Sequence, residues 1–482
     1  MIRDKIIFWG LCGLMIFLPL AFGAVEEWAI FIFEFAVFLL FALHIGGRVR
    51  ASKKNGVNET PSASKIPVWL VGLLVLFLVI AVLQVIPLPQ SLLRAVSPET
   101  AEIYAGLKAG DFGELGMGSW DTLSLAPNLS VYELVKYIFV FLFGYLVFVY
   151  VRGRRTIEIF VLVMLLVGVF ESFYGMIEFF GGTSRIFGFK NIYYSDSVTG
   201  TFINRNHLAG FLNMIFPLSI GYVLTKAQFF SMKKELSFKE KVLWFSQERL
   251  QKCVILGLVS VLIGMGIFFS RSRMGIFVFF LTVFVMAVVL SAAGKRNEER
   301  QGRRRRSGKI VRTVVLVVVL AVVFIGIRPI VERFSWTALE TEIRPVLFKN
   351  TVELIKSYPL FGTGLATYVY AYTRFEQDYI PKVVDHAHND YLEIVAEAGL
   401  IGGGALIVFA FGFAVYLFLS WLKRRDYFVR GVGLGCLMGI VSILLHSLTD
   451  FNLHITANAV YFVALYALAF SVLNYRQDYK VR

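Results

Sequence analysis

Long apolar runs recur along the chain, separated by shorter polar segments. Six of them carry no charged side chain: residues 6–25, 66–86, 253–270, 274–294, 398–422 and 455–474. Six more candidates contain or adjoin an ionisable residue: 29–44, 130–151, 157–180, 207–225, 313–330 and 431–449. Each run is near the roughly 20 residues that a helix needs to cross a bilayer core. The pattern predicts an all-α polytopic membrane protein with about twelve transmembrane helices.

Composition excludes a soluble globular protein. The 482 residues are 57% hydrophobic, and the mean hydropathy is +0.70. The first apolar run is long for a signal peptide and no small-residue cleavage site follows it, so we expect a retained first span. Cys12, Cys253 and Cys436 all fall within predicted spans, which indicates neither a disulfide framework nor a metal cluster.

The formal net charge of +15 is distributed as a topology signal. Lysine and arginine concentrate in alternate polar segments, among them 226–252 and 295–312, as expected for cytoplasmic loops. Both termini are therefore predicted to be cytoplasmic. The basic segments indicate contacts with anionic membrane lipids, and no nucleic-acid partner is expected.

The long polar segments of the opposite, outer face predict the domain organisation. They cover residues 87–129, 181–205 and 331–397. Residues 1–330 are predicted to form the first nine membrane helices, and residues 398–482 the last three. Residues 331–397 form the largest outer loop region, in which we expect short helices.

The end of that region holds the most reactive motif, at residues 384–393. It contains His386 and His388, and histidine exchanges a proton near neutral pH. Asp390 and Glu393 are interpreted as capping residues of the next helix. The two histidines lack the i, i+4 spacing typical of metal ligands on a helix, and no cysteine accompanies them, so no metal is predicted.

Four arginines lie at or near the outer ends of predicted spans: Arg205, Arg271, Arg273 and Arg344. A guanidinium group beside hydrocarbon is costly, so such residues usually pair or serve function. Their planar forks match phosphate oxygens, which favours a phosphorylated or pyrophosphorylated lipid as ligand. The alternative is that they reach lipid headgroups or pair with nearby glutamates.

Four stretches of the chain together resemble the O-antigen ligase family: residues 200–211, 270–275, 344–364 and 386–403. The resemblance implies a glycosyltransferase of the bacterial inner membrane with its active site facing the periplasm. Its donor would be a glycan on undecaprenyl pyrophosphate, and its acceptor a hydroxyl of a lipid-anchored sugar or a growing glycan. Neither a nucleotide nor a metal cofactor is expected for the family.

The resemblance also implies residue roles. His388 corresponds to the family's catalytic base, and Arg205, Arg273 and Arg344 to the arginines that hold the pyrophosphate. His386 is a second catalytic candidate. Arg271, Asn206 and Asn389 are further candidates for substrate binding. The sequence departs from the family pattern at Glu340 and Glu342, where an aspartate often stands, and at Phe348, which replaces a frequent tryptophan.

Three functional classes stay open at this stage: a glycosyltransferase, which is either a ligase or a polymerase, a transporter and a scaffold. A ligase and a polymerase of lipid-linked glycans use the same donor and differ only in the acceptor; a ligase acting on an acceptor such as lipid A-core is favoured. A lipid-linked glycan transporter would place ionisable groups within its spans, where Glu34, Glu171 and Glu178 are candidates. A scaffold for other polysaccharide enzymes would need no histidine–arginine cluster.

Overall fold

The fold is known from a computed structural model, which describes residues 2–55, 66–109, 120–183, 185–226, 248–301, 316, 320, 343–377 and 383–475. The helices of the first two thirds of the chain are α1 (Ile2–Leu20), α2 (Glu27–Asn55), α3 (Val68–Leu83), α4 (Gln90–Val96), α5 (Pro98–Ala109), α6 (Pro127–Tyr150), α7 (Arg154–Phe180), α8 (Arg205–Lys226), α9 (Glu248–Phe269) and α10 (Arg273–Gln301). The last third forms α11 (Arg344–Ser357), α12 (Tyr368–Tyr372), α13 (Asp390–Leu422), α14 (Tyr427–His446) and α15 (Thr456–Asn474).

The remaining secondary-structure elements of the described residues are short. Three 3-10 turns cover Phe22–Ala24, Thr373–Phe375 and Asn452–His454. Strands β1 (Leu88–Pro89) and β2 (Trp120–Asp121) form one antiparallel pair, and β3 (Arg185–Ile186) and β4 (Phe189–Lys190) form another.

The prediction of a helical, multi-pass membrane protein is confirmed. In the part of the chain that the structure describes, nine helices are long and apolar enough to cross a membrane: α2, α6, α7, α8, α9, α10, α13, α14 and α15. Helix α3 is apolar but has 16 residues. The predicted span 313–330 lies almost entirely outside the described residues, so the count of about twelve stays a prediction.

Helices α8, α14 and α15 form the centre of the bundle, and nearly all their residues are buried. Glycines bring α8 and α14 together: a Cβ atom on Gly221 would overlap the carbonyl oxygen of Gly431, and one on Gly439 would overlap that of Met214. Small residues at such crossings let two backbones approach closely, which is a main source of helix association in membranes. This contact fixes the start of α8 relative to the turn that follows α14.

Helix α13 is interrupted at Gly399, so its first turns form a separate segment before the membrane helix. Gly399 has φ 69° and ψ 175°, a region that essentially only glycine adopts. The loop between α11 and α12 fits into this interruption. Leu400 N–H donates to the Pro359 carbonyl (2.8 Å), and Gly364 N–H donates to the Glu397 carbonyl (2.9 Å).

We expect Gly399→Ala to lower the midpoint of thermal unfolding in detergent. The new Cβ would meet the Leu360 carbonyl, and the required backbone conformation costs about 1–3 kcal/mol for a non-glycine residue. Gly404→Ala in the same helix is the matched control, because a Cβ there has no neighbour within 4 Å. Equal midpoints for the two variants would contradict this account of the interruption.

Candidate functional site

The site begins at the N-terminus of α13, where Asn389 is the capping residue. Its side-chain oxygen accepts hydrogen bonds from Tyr391 N–H (3.0 Å) and Leu392 N–H (3.1 Å). Its amide group donates to the Leu448 carbonyl at 3.0 Å. The assignment of the cap to Asp390 was wrong, because Asp390 is already helical and its carboxylate has other partners.

His388 is paired with a buried carboxylate from a distant part of the chain. Its Nδ1 lies 3.2 Å from Oδ1 of Asp450, in the turn after α14. The His388 side chain is 27% exposed, whereas that of Asp450 is 2% exposed. His388 has φ 50°, a left-handed conformation that is uncommon outside glycine and often marks a functional site.

Asp450 also gathers positively charged or polar groups from two other helices. Arg344 Nη2, at the start of α11, lies 3.5 Å from Asp450 Oδ2. His207 Nε2, in the first turn of α8, lies 3.8 Å from Oδ1, too far for a hydrogen bond. Burial raises the pKa of Asp450, but His207, His388 and Arg344 outweigh burial and keep the pKa well below its usual range. Asp450 is therefore ionised at neutral pH.

A small polar pocket adjoins this carboxylate. It measures about 30 Å³ and is lined by Asn206, Ser272, Arg273, Met274, Arg344 and Asp450. The structure thus brings together two of the four arginines singled out in the sequence, Arg273 and Arg344, together with Asn206.

The other two arginines form a separate pair. Arg205 Nη1 lies 3.2 Å from Oδ1 of Asp196, and Arg271 Nη1 lies 3.6 Å from Oδ2 of the same carboxylate. The predicted set of four arginines is therefore divided between the pocket beside Asp450 and the Asp196 carboxylate.

His386 belongs to a second histidine–carboxylate group. Its Nδ1 lies 2.6 Å from Glu393 Oε1, and Ala387 N–H donates to Glu393 Oε2 at 2.8 Å. Glu393 thus reaches back over the helix start as the sequence indicated, but to Ala387. His454 bridges this glutamate (3.2 Å) and Asp390 (2.9 Å) through its two ring nitrogens.

The charges in this group compensate one another. Burial lowers the pKa of His454, but Glu393 and Asp390 outweigh it and raise the pKa to about 10. Burial likewise lowers the pKa of His386, and Glu393 again outweighs it, so the pKa rises above its usual value. The geometry therefore fits imidazolium rings between buried carboxylates.

Phe451 lies among the histidines of both groups. Its ring is stacked on His386 with centroids 4.0 Å apart, and it makes edge contacts with His388 (5.0 Å) and His207 (4.6 Å). An apolar ring therefore packs between the His386 group and the His388–Asp450 pair. Among the carboxylates of these two groups, Asp450 lines the pocket of Arg273 and Arg344, whereas Asp390 and Glu393 do not.

One set of described residues has the composition of a metal site. Ligand atoms of His386, Glu393 and His454 all lie within 4.8 Å of one another. These atoms already form hydrogen bonds in which one carboxylate oxygen serves both imidazoles. The sequence-based expectation of metal independence stays a prediction.

A large apolar cavity opens on the other side of His454. It measures about 340 Å³ and lies among α6, α13 and α15, with aromatic walls from residues such as Tyr137, Phe413 and Phe470. Its volume is within the usual range for ligand-binding pockets, about 300–1,000 Å³. Asp390 and His454 are among the few polar residues at its wall.

Residues 258–407 match the family model described as O-antigen ligase, Wzy_C. Over these residues the chain is similar to the O-antigen ligase family. No curated protein matches the chain.

The matched O-antigen ligase region contains only part of the site. Arg271, Arg273, Arg344, His386 and His388 lie inside residues 258–407. Arg205, Asn206 and Asp450 lie outside it and reach the site through α8 and the turn after α14. The site is therefore completed by segments on both sides of the matched region.

Sequence reasoning missed the central role of Asp450. Neither Asp450 nor His207 is among the candidate residues that the sequence analysis names. A signal was present: Asp450 and His454 occupy a very short turn between two apolar segments. Ionisable residues confined to such a turn at a membrane surface are expected to have a partner or a function.

The charge on His454 predicts a pH-dependent stability of the protein. Because the folded pKa of about 10 exceeds the usual 6.5, the stabilisation is complete below about pH 6.5 and is lost as the pH rises through about 10. The charged or titratable groups facing His454 are Asp390, Glu393, Glu397 and His386. His454→Gln retains a hydrogen-bond donor but no charge. We expect its thermal midpoint to lie below wild type at neutral pH, with a gap that closes towards pH 10. A gap independent of pH would contradict the charged state of His454.

Proposed function

We propose that the chain transfers a glycan from undecaprenyl pyrophosphate to a hydroxyl group of a lipid-anchored sugar. The reaction would take place at the periplasmic face of the bacterial inner membrane. The observation that carries the proposal is the placement of Asp450, whose carboxylate contacts both His388 and Arg344 at the wall of the pocket that Arg273 shares. The family match over residues 258–407 supports the same class of reaction.

His388 is proposed as the general base. An ionised Asp450 accepts a hydrogen bond, so Nδ1 of His388 is the nitrogen that bears the proton. Nε2 of the neutral ring is then free to accept a proton from the acceptor hydroxyl. A positioned base of this kind contributes about 10²–10⁴-fold to the rate, and the imidazolium that forms is stabilised by Asp450.

Arg273 and Arg344 are proposed to bind the pyrophosphate of the donor. Their guanidinium groups remain charged at any physiological pH and can form paired hydrogen bonds to phosphate oxygens. The pocket that they line measures about 30 Å³.

The proposed step is a single displacement. The acceptor oxygen loses its proton to His388 Nε2 and forms a bond to the anomeric carbon, while the bond from that carbon to the pyrophosphate oxygen breaks. Undecaprenyl pyrophosphate leaves with the electron pair, and the two arginines stabilise the charge that develops on it. Attack opposite the leaving group inverts the configuration at the anomeric carbon.

The acceptor is proposed to be a lipid-anchored sugar such as lipid A-core, which makes the protein a ligase. A polymerase that extends a growing glycan is the alternative. The apolar cavity of about 340 Å³ beside His454 supports a lipid substrate in either case, because it could take a hydrocarbon chain within the membrane.

We expect His388→Ala to reduce transfer by about 10²–10⁴-fold with donor binding preserved, because the variant lacks only the base. Asp450→Asn should also reduce transfer strongly, since the ring loses its fixed tautomer. The assay uses purified protein in liposomes with an undecaprenyl-pyrophosphate glycan and lipid A-core, without ATP and with EDTA. His386→Ala is the comparison variant, and we expect it to retain more transfer. Loss of donor binding in His388→Ala would contradict the assignment of the base.

The same assay separates the candidate functions. Product that requires lipid A-core indicates a ligase, and a ladder of longer glycans from donor alone indicates a polymerase. Movement of the donor lipid across the bilayer without any glycan transfer would contradict a transferase and support a transporter.

Arg273→Ala and Arg344→Ala should each weaken donor binding by about 10- to 100-fold, the loss expected for a charged hydrogen bond. Arg374→Ala is the matched control, because Arg374 is 49% exposed and its Nη2 lies 3.8 Å from Glu99 on the surface. Affinity is measured with the purified variants and a polyprenyl pyrophosphate. A change in acceptor affinity alone would refute the pyrophosphate role.

A further inference from the structure

Arg205 and Arg271, the second pair of arginines, both contact the side-chain carboxylate of Asp196. Arg205 Nη1 lies 3.2 and 3.4 Å from the two oxygens of Asp196, and Arg271 Nη1 lies 3.6 Å from one of them. Arg205 opens α8, and Arg271 stands between α9 and α10. One carboxylate thus joins the two segments that also supply Asn206 and Arg273 to the Asp450 pocket.

The guanidinium groups of Arg205 and Arg271 are mostly buried, whereas the Asp196 carboxylate is half exposed. The side chains of Arg205 and Arg271 are 10% and 17% exposed, and that of Asp196 is 52% exposed. Aromatic rings hold the guanidinium groups: Arg205 lies 5.0 Å from the Tyr194 ring and Arg271 5.2 Å from the Phe179 ring. A half-exposed carboxylate can regain water when it leaves, so its ion pairs contribute little to stability.

The charges of this group are unequal. Two permanently charged guanidinium groups face one carboxylate, which leaves an excess of one positive charge. Among the described residues, Asp196 is the one carboxylate within 4 Å of either arginine. A ligand with more negative charge than a single carboxylate is therefore favoured at this position.

Position relates this group to the proposed donor site. Arg205 is adjacent in sequence to Asn206, and Arg271 is two residues from Arg273. Consecutive Cα atoms are about 3.8 Å apart, so the two arginine pairs are neighbours on the same side of the bundle. A pyrophosphate has two charged phosphate groups. The pocket has two arginines, Arg273 and Arg344, and one carboxylate, Asp450, so its net positive charge suits one phosphate group.

The resemblance already implies that Arg205 holds the donor pyrophosphate. We propose that the Asp196 carboxylate, which contacts both Arg205 and Arg271, competes with that pyrophosphate for the two arginines and is displaced when the donor binds. The inference rests on the proposed function and adds a selection step to it. A phosphodiester headgroup has one negative charge, as Asp196 has, and gains little by exchange. A pyrophosphate lipid has more charge and oxygens for paired hydrogen bonds, so it replaces Asp196 where ordinary phospholipids do not.

The test is the affinity of purified full-length protein for three ligands: inorganic pyrophosphate, a polyprenyl pyrophosphate and phosphatidylglycerol. Asp196→Asn keeps the shape of the side chain and removes its charge. We expect it to bind all three ligands more tightly, by about 5-fold or more, and to discriminate less against phosphatidylglycerol. In the double variant Asp196→Asn/Arg271→Gln the gain should disappear.

A matched control separates this effect from a general change in surface charge. Glu353→Gln removes one carboxylate from another exposed ion pair, formed with Lys356 at 2.8 Å, and should leave all three affinities unchanged. Thermal midpoints of the variants show whether each one is folded.

An unchanged or weaker affinity in Asp196→Asn would overturn the proposal, as would a gain that persists in the double variant. A gain for inorganic pyrophosphate without one for polyprenyl pyrophosphate would overturn the assignment to a lipid donor. Failure of the proposed function is a distinct result, namely donor binding that does not depend on Arg273.

Discussion

A single buried negative charge organises the site. The Asp450 carboxylate is nearly inaccessible to water and remains ionised, so it requires compensation by nearby cations and hydrogen-bond donors. His388, Arg344 and His207 supply that compensation from three separate segments. Asp450 therefore joins the segments that carry His388, Arg344 and His207.

The membrane helices make this arrangement possible. Glycines on α14 bring it into backbone contact with α8, and this contact places the turn carrying Asp450 beside the start of α8. The interruption at Gly399 lets the first turns of α13 take a direction of their own, so that Asn389 and His388 face the same turn. Close helix packing and one glycine conformation therefore determine the geometry of polar groups at the membrane surface.

The histidines and arginines of the site are matched by carboxylates, three of them buried and one half exposed. His386 and His454 contact the deeply buried side chains of Glu393 and Asp390 at the start of α13. His388 and Arg344 share Asp450, which is buried yet lines a pocket. Arg205 and Arg271 share Asp196, which is half exposed, as its proposed exchange for a ligand requires. Exposure thus distinguishes Asp196 from the other carboxylates, whereas the adjoining pocket distinguishes Asp450 from the equally buried Glu393.

The sequence by itself determined the helical membrane architecture, because backbone groups in hydrocarbon must be satisfied within each helix and long apolar runs therefore leave no alternative. It also indicated His388 and the four arginines as candidate functional residues, because few ionisable residues are tolerated near the membrane. Only the tertiary structure decided how these residues are grouped: Arg344 with Asp450, Arg271 with Asp196, and Asn389 as the cap in place of Asp390. Side-chain partners across a helix bundle depend on the rotation and depth of each helix, which packing sets and which residue spacing along the chain does not encode.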